Sequence, residues 1–307
     1  MSTLTNNSFI VVIRSAGERT KSVCRDIVLK QLSEKHVKVI QLTPFEEALR
    51  ESYRIGIKSD KEWLITIDAD VLPRKDFLKD IFGLTNKVSD DLFAFKPMIY
   101  DKILMKHRLA GFRVYRNKYL EKAFDFIPED GQEIRPEEFT VKKMENLGHK
   151  TKIFEYVAGL HDYEQYYRDI YRKAYFHATK HAEQVAQLME EWKKKSVDDP
   201  DYIVVLKGAV DGLLSGKMPK ADLRFFEDST RKALEELGLE EKKSLDVSNI
   251  ELKVEEILNS EGPFTKEYTW AGIKKNIKKK GFLDASLYTS GHILEAVGKK
   301  LKKRTES

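Results

Sequence analysis

The chain has 307 residues, 34% charged and 41% apolar, with a formal net charge of +5 at pH 7. No apolar run approaches the roughly 20 residues that a membrane-spanning helix needs, and the N-terminal stretch lacks the pattern of a secretory signal. The single cysteine, Cys24, excludes an internal disulfide and a cysteine-based zinc cluster, so the expected compartment is the cytoplasm.

Phe9-Ile10-Val11-Val12-Ile13 is an uninterrupted apolar run, expected as the first strand of a sheet covered on both faces. It stops at Arg14-Ser15-Ala16-Gly17-Glu18-Arg19-Thr20, a loop of small and donor-bearing residues. Val23, Ile27 and Leu32 then mark the inner face of a helix. A strand, a small polar loop and a helix start offer backbone N–H groups to a phosphate. Arg14 and Arg19 would add charge-assisted contacts to a diphosphate, or would stand as two solvated arginines. Neither GxGxxG nor the P-loop pattern is present, so a dinucleotide fingerprint and a Walker-type loop are both unsupported.

Residues 37–42 read as the second strand, ending at Thr43-Pro44. Phe45, Ala48, Leu49, Ser52 and Gly56 recur at helical spacing, and Trp63-Leu64-Ile65-Thr66-Ile67 forms the third strand. This strand ends in Asp68-Ala69-Asp70, followed by Val71-Leu72-Pro73. In a parallel α/β sheet, ligands gather at the carboxyl edge of the strands. Two acids there repel each other unless a cation is present, and a hard, oxygen-ligated divalent ion carrying substrate phosphates meets that need. The other reading is an Asx turn that closes the strand, with Asp70 capping the next helix. Three strands alternating with two helices predict a parallel, right-handed α/β sheet. A short helix over 75–82 and a strand over 92–95 continue it.

Gly111 to Arg116 reads as a short strand leading to a helix over 117–124. An acidic stretch, Glu129-Asp130-Gly131-Gln132-Glu133, precedes Arg135-Pro136-Glu137-Glu138, where proline and acids suit a first helical turn. That helix is expected to run to Leu147, with Gly148 at its C′ position. Residues 151–157 read as a strand and Ala158-Gly159 as a turn. Gly159-Leu160-His161 then opens a long helix to about Lys194. His177 and His181 share a face of it at i, i+4, without a visible third zinc ligand.

The succession of strands and the stretch Glu62-Trp63-Leu64-Ile65-Thr66-Ile67-Asp68-Ala69-Asp70-Val71-Leu72-Pro73 resemble the start of a GT-A glycosyltransferase of the family-two kind. The resemblance covers about the first 195 residues. It implies a Rossmann-like, mainly parallel sheet flanked by helices, the GT-A fold; the all-helical C-terminal extension is expected from apolar stripes at helical spacing instead. The resemblance also implies that Asp68 and Asp70 bind a Mn²⁺ or Mg²⁺ ion and the ribose-diphosphate of a nucleotide sugar, with UDP-sugars favoured. Arg14, Ser15, Arg19, Thr43 and Ala69 would line the same donor site. His161, C-terminal to the sheet, would complete the metal shell. The catalytic carboxylate would come from the start of the 136–147 helix, with Glu137 the best match, Glu138 beside it and Asp130 in the acidic stretch before. The family's usual Glu-Asp pair is not reproduced there. The implied reaction is transfer of a sugar, with inversion, to a hydroxyl on a glycan or lipid-linked glycan, as in polysaccharide biosynthesis.

Lys193-Lys194-Lys195-Ser196-Val197-Asp198-Asp199-Pro200 is the expected domain boundary, dividing residues 1–195 from a helical, basic region over 196–307. Helices are expected over 202–214, 223–237 and 247–258. Residues 263–307 carry lysine clusters beside an apolar helical face and Trp270. This end suits peripheral contact with an anionic membrane on its inner face, nonspecific nucleic-acid binding, which is less favoured, or simple solvation. Two function classes compete with glycosyl transfer. A sugar-nucleotide nucleotidyltransferase would need a better glycine-rich basic loop than Arg14-Ser15-Ala16-Gly17. A non-enzymatic basic binding module would be indifferent to Asp68 and Asp70.

Overall fold

The computed structural model describes residues 8–215, 226–245 and 249–260. The chain divides into two compact units, the first running to Glu164 and taking back Leu245–Gly262, the second holding Gln165–Ser244.

The first unit is an eight-stranded sheet flanked by helices. Its strands are β1 (Phe9–Ser15), β2 (Val37–Gln41), β3 (Trp63–Asp68), β4 (Val71–Pro73), β5 (Leu92–Asp101), β6 (Lys106–Arg108), β7 (Phe112–Arg116) and β8 (Lys150–His161). The helices are α1 (Lys21–Leu29), α2 (Phe45–Lys58), α3 (Phe77–Thr85), α4 (Leu120–Phe124) and α5 (Pro136–Asn146). Strand order is β2-β1-β3-β7-β5-β8-β4, with β6 pairing β5 outside this path. β1, β2, β3, β5 and β8 share one direction, and β4, β6 and β7 oppose them. Every residue of β1 is buried, as a strand covered on both faces requires. One core, with Val11, Ile13, Val23, Ile27, Ile65, Ile67 and Phe77, lies on one face. Val12, Leu49, Tyr53, Leu64 and Tyr115 belong to a second core.

The sheet has to curl. β3 and β4 are joined by Ala69 and Asp70 alone, yet β7, β5 and β8 stand between them. Four strand spacings in a flat sheet amount to about 19 Å, whereas three peptide steps reach about 11 Å. Register shifts between Leu92 and Ala94, between Pro97 and Met98 and between Met98 and Tyr100 mark where the β5–β8 ribbon departs from regular pairing, and such bulges bend strands. The bend returns the end of β8 to β4, where Val71 pairs with His161 and Pro73 with Gly159.

Two expectations change here. Gly159 is not a turn and His161 does not open a helix; both lie in β8, which runs four residues past Val157. A Cβ on Gly159 would meet the Leu72 carbonyl oxygen at 2.6 Å, so the glycine permits close approach of β4. The long helix is two helices, α6 (Tyr167–Lys180) and α7 (Ala182–Lys195), broken at His181, whose φ of −137° and ψ of 49° are not helical.

α6 and α7 belong to the second unit with α8 (Pro200–Ser215) and α9 (Glu227–Leu237). A Cβ on Gly208 or Gly212 would strike the carbonyl oxygens of Tyr171 and Tyr175 at 2.5 and 2.4 Å, so these glycines let α8 lie against α6. The break at 193–200 falls within this unit, because Pro200 starts a helix at its first turn. α10 (Ile250–Ser260) rejoins the first unit, burying Val254 and Leu258 in its core while Glu255 pairs with Arg74 at 3.3 Å. Among the described residues no helix is long and apolar enough to cross a membrane. The basic stretch 263–307, with its expected membrane contact, lies outside the described residues.

Candidate active site

The five co-directional strands end on one edge, which collects Ser15, Gln41, Asp68, Asp101 and His161. Two clusters of charged groups form there.

The first surrounds His161. Its Nε2 lies 3.5 Å from Asp70 Oδ2, and its Nδ1 lies 3.0 Å from both Asp101 Oδ2 and Asp162 Oδ2. All four side chains are buried. Asp101 and His161 are register partners in β5 and β8, so sheet pairing brings them together. Asp70 arrives through the link into β4, and the Asp162 amide donates to the Asp70 carbonyl at 3.1 Å. Asp101 also accepts from the Leu104 amide and Arg108 Nη1, each at 2.8 Å. Burial works against the His161 imidazolium, but Asp162, Asp70 and Asp101 outweigh it and hold its pKa well above the ordinary 6.5. Burial likewise opposes the Asp101 carboxylate, yet the bond from His161 and the nearby Arg108 keep it well below the usual carboxylate range. Asp162 and Glu164 adopt left-handed backbone with φ of 59° and 56°, a conformation that costs side-chain-bearing residues energy and recurs at functional sites. Arg19 holds Glu164 through its carbonyl at 3.1 Å and its carboxylate at 2.8 Å.

Asp70, His161 and Asp162 can each present one ligand atom within 4.8 Å of the others. Two carboxylates and one imidazole form a donor set that could hold a divalent cation. Asp101 on Nδ1 is the partner that commonly orients a metal-binding imidazole.

The second cluster surrounds Arg14, which is 4% exposed. Its Nε donates to Asp68 Oδ1 and its Nη1 to Glu137 Oε1, both at 2.8 Å, and it lies over the Phe45 ring at 4.8 Å. Glu137 also accepts from Tyr115 Oη at 2.7 Å and lies 3.6 Å from Arg113 Nη2. Burial pushes the Glu137 carboxyl up, but Arg113, Arg14 and the Tyr115 hydroxyl bring its pKa down to about 2. Burial, with Asp70 and Glu137 adding to it, raises Asp68 despite Arg14. Glu138 bonds Arg113 Nη2 at 2.7 Å and also Lys96.

The residues singled out from the sequence therefore separate. Asp70 and His161 meet, while Asp68 turns to Arg14 and stands outside the cation cluster. Ala69 is buried and fixes the link: its amide donates to the Arg14 carbonyl at 2.8 Å, and its carbonyl accepts from Thr20 Oγ1 at 2.7 Å. Arg14 and Arg19 are not solvated, and both are engaged by acids. Ser15 donates to Glu18 at 2.7 Å, and the Ala16 amide reaches the same carboxylate at 2.8 Å, so Glu18 takes the donors that a phosphate would use. Thr43 is exposed ahead of α2. Asp130 is exposed in the loop before α5, where Gly131 bonds Glu46. Asp162 and Asp101 are the members that sequence reading missed. An acid directly beside a candidate histidine was the available signal for the first.

No protein-family model matches the chain, and no curated protein matches it. Solved structures match at low similarity. The mannosyltransferase PcManGT from Pyrobaculum calidifontis, in complex with GDP-Man and Mn²⁺, is 13% identical, with 91% of this chain and 86% of that one covered and a TM-score of 0.40. A glycosyltransferase involved in glycosylating the major capsid of PBCV-1 is 12% identical, covering 50% of this chain and 93% of that one, with a TM-score of 0.35. A 4-diphosphocytidyl-2C-methyl-D-erythritol synthase from Anaerococcus prevotii is 12% identical, covering 50% and 89%, with a TM-score of 0.36. At these scores the likeness assigns this chain neither a family nor an activity.

Proposed function

We propose that this chain is a divalent-metal-dependent glycosyltransferase that takes a sugar from a nucleotide-diphosphate donor, with UDP-sugars favoured, and passes it to a hydroxyl of a glycan or lipid-linked acceptor. The observation that carries this reading is the buried Asp70–His161–Asp162 cluster at the carboxyl edge of the sheet, directly after Asp68-Ala69-Asp70. Asp70, His161 and Asp162 would hold the ion, Mn²⁺ or Mg²⁺. When bound, it neutralises charge on the departing diphosphate.

The chain's own groups do the rest. Asp101 fixes the His161 ring through Nδ1, leaving Nε2 turned to Asp70. Arg14 anchors Asp68, and the Thr20 and Arg14 backbone contacts of Ala69 fix where Asp70 emerges. The Ser15 hydroxyl and the Ala16 amide, which hold the Glu18 carboxylate here, are donors of the kind that would hold a phosphate oxygen in its place. Glu137 serves as an ion-pair anchor: with a pKa of about 2 it is a weak base near neutral pH. Nucleotidyl transfer is the less favoured reading, since Arg14-Ser15-Ala16-Gly17 is a poor version of the glycine-rich basic loop that such an enzyme needs.

A thermal-shift panel of UDP, GDP and their sugars, with and without Mn²⁺, tests the reading. The expected result is stabilisation by a nucleotide only when metal is present, lost in His161→Ala. Equal stabilisation without metal, or none from any nucleotide, would overturn it.

A further inference from the structure

A cavity of about 360 Å³ opens between α5 and the first halves of β5 and β8. Lys96, Arg113, Lys142 and Lys152 line it; Glu137 lies 3.6 Å from Arg113 Nη2, and two further carboxylates, Glu138 and Glu145, belong to the lining itself. Those two are already in use. A single oxygen of Glu138 takes both Arg113 Nη2, at 2.7 Å, and Lys96 Nζ, while Glu145 accepts the Thr151 hydroxyl. Arg113 is 3% exposed, and among the described residues its Nε and Nη1 have no hydrogen-bond partner. Burial and the neighbouring Arg113 both press the Lys96 ammonium toward losing its proton, which is what an excess of positive charge at a half-buried place does.

This surplus is not that of the metal-binding edge. Thr151 and His161 lie ten residue steps apart along β8, a contour of about 33 Å. The cavity also has an apolar side, with Val141 buried and Ile153 56% exposed at its mouth. Its volume suits a small organic molecule.

We propose that this cavity binds a small organic phosphate monoester, separately from the Asp70–His161–Asp162 site. Counting Glu137, four cations meet three carboxylates, and this remaining positive charge together with the unpartnered Nε and Nη1 of Arg113 favours an anion; lysines bind phosphate as point charges. Val141 and Ile153 receive the organic body. The inference does not depend on the function proposed above.

Calorimetry on the metal-free full chain in EDTA, at constant ionic strength, tests it with phenyl phosphate and inorganic phosphate as probes. Phenyl phosphate should bind saturably and more tightly than inorganic phosphate. Lys142→Gln with Lys152→Gln, both on the cavity rim, should weaken it about tenfold, the sum of two exposed charge contacts. No saturable binding in the millimolar range, equal binding of the two probes, or unchanged affinity in the double variant would each overturn the proposal.

Discussion

The two charge clusters at the carboxyl edge are built from the same residue types and differ in their balance. Around Arg14, three carboxylates (Asp68, Glu137 and Glu138) meet three cations (Arg14, Arg113 and Lys96). Around His161, three carboxylates (Asp70, Asp101 and Asp162) meet one imidazole and Arg108. The first is balanced in charge. The second keeps a negative surplus in a buried place, which a divalent cation relieves. The two acids of Asp68-Ala69-Asp70 thus stand in different clusters, although only Ala69 separates them in sequence.

That contrast can be broken from the balanced side first. Arg14→Ala strands two partly buried carboxylates, 30% and 17% exposed, which should cost up to about 3 kcal/mol, the low end for a buried pair; urea unfolding should show the loss. Acid acts on the same cluster. Glu137 has its folded pKa depressed from 4.5 to about 2. Its contribution, about 3 kcal/mol by linkage, is therefore fully present above pH 4.5 and lost as pH falls through about 2. Glu137→Gln should remove that part of the acid dependence in unfolding titrations.

Gly159→Ala tests how the second cluster is assembled. The added methyl meets backbone rather than a movable side chain, so β4 must shift from β8 at a cost of about 1–3 kcal/mol, carrying Asp70 from His161 and weakening Mn²⁺ binding. The smallest stability effect belongs to Asp162→Asn. Removing one acid from a surplus should change metal-free stability by less than about 1 kcal/mol, in contrast to Arg14→Ala. The pH sign at His161 is opposite to that at Glu137. Its raised pKa contributes stability that is fully present below 6.5 and is lost as pH rises through the folded value. Because Nε2 must shed its proton to bind metal, Mn²⁺ affinity should rise with pH, as calorimetry across pH 6 to 8 would show.

The alternation that builds the sheet was legible, because β1 and β3 are apolar runs ending abruptly in polar residues. Asp70 and His161 were legible by residue type and order, and their meeting only through the family resemblance, since no local pattern announces the curled sheet that brings them together. Asp101 was hidden because the strand was expected only over 92–95, short of Pro97. β5 passes it at a register shift between Pro97 and Met98, a place where a strand tolerates a missing donor. Gly159 misled for a related reason: it serves close packing of β4 rather than a turn. The pairing of Arg14 with Asp68 and Glu137 joins residues 54 and 123 positions apart, and no local pattern announces it.

The division of labour between Asp68 and Asp70 is tested most directly by calorimetric Mn²⁺ binding to Asp70→Asn and Asp68→Asn side by side. The expected result is a loss of about 100-fold or more for Asp70→Asn, as for a removed ligand, with Asp68→Asn within a few-fold of wild type. Equal losses in the two variants, or a larger loss for Asp68→Asn, would contradict the account.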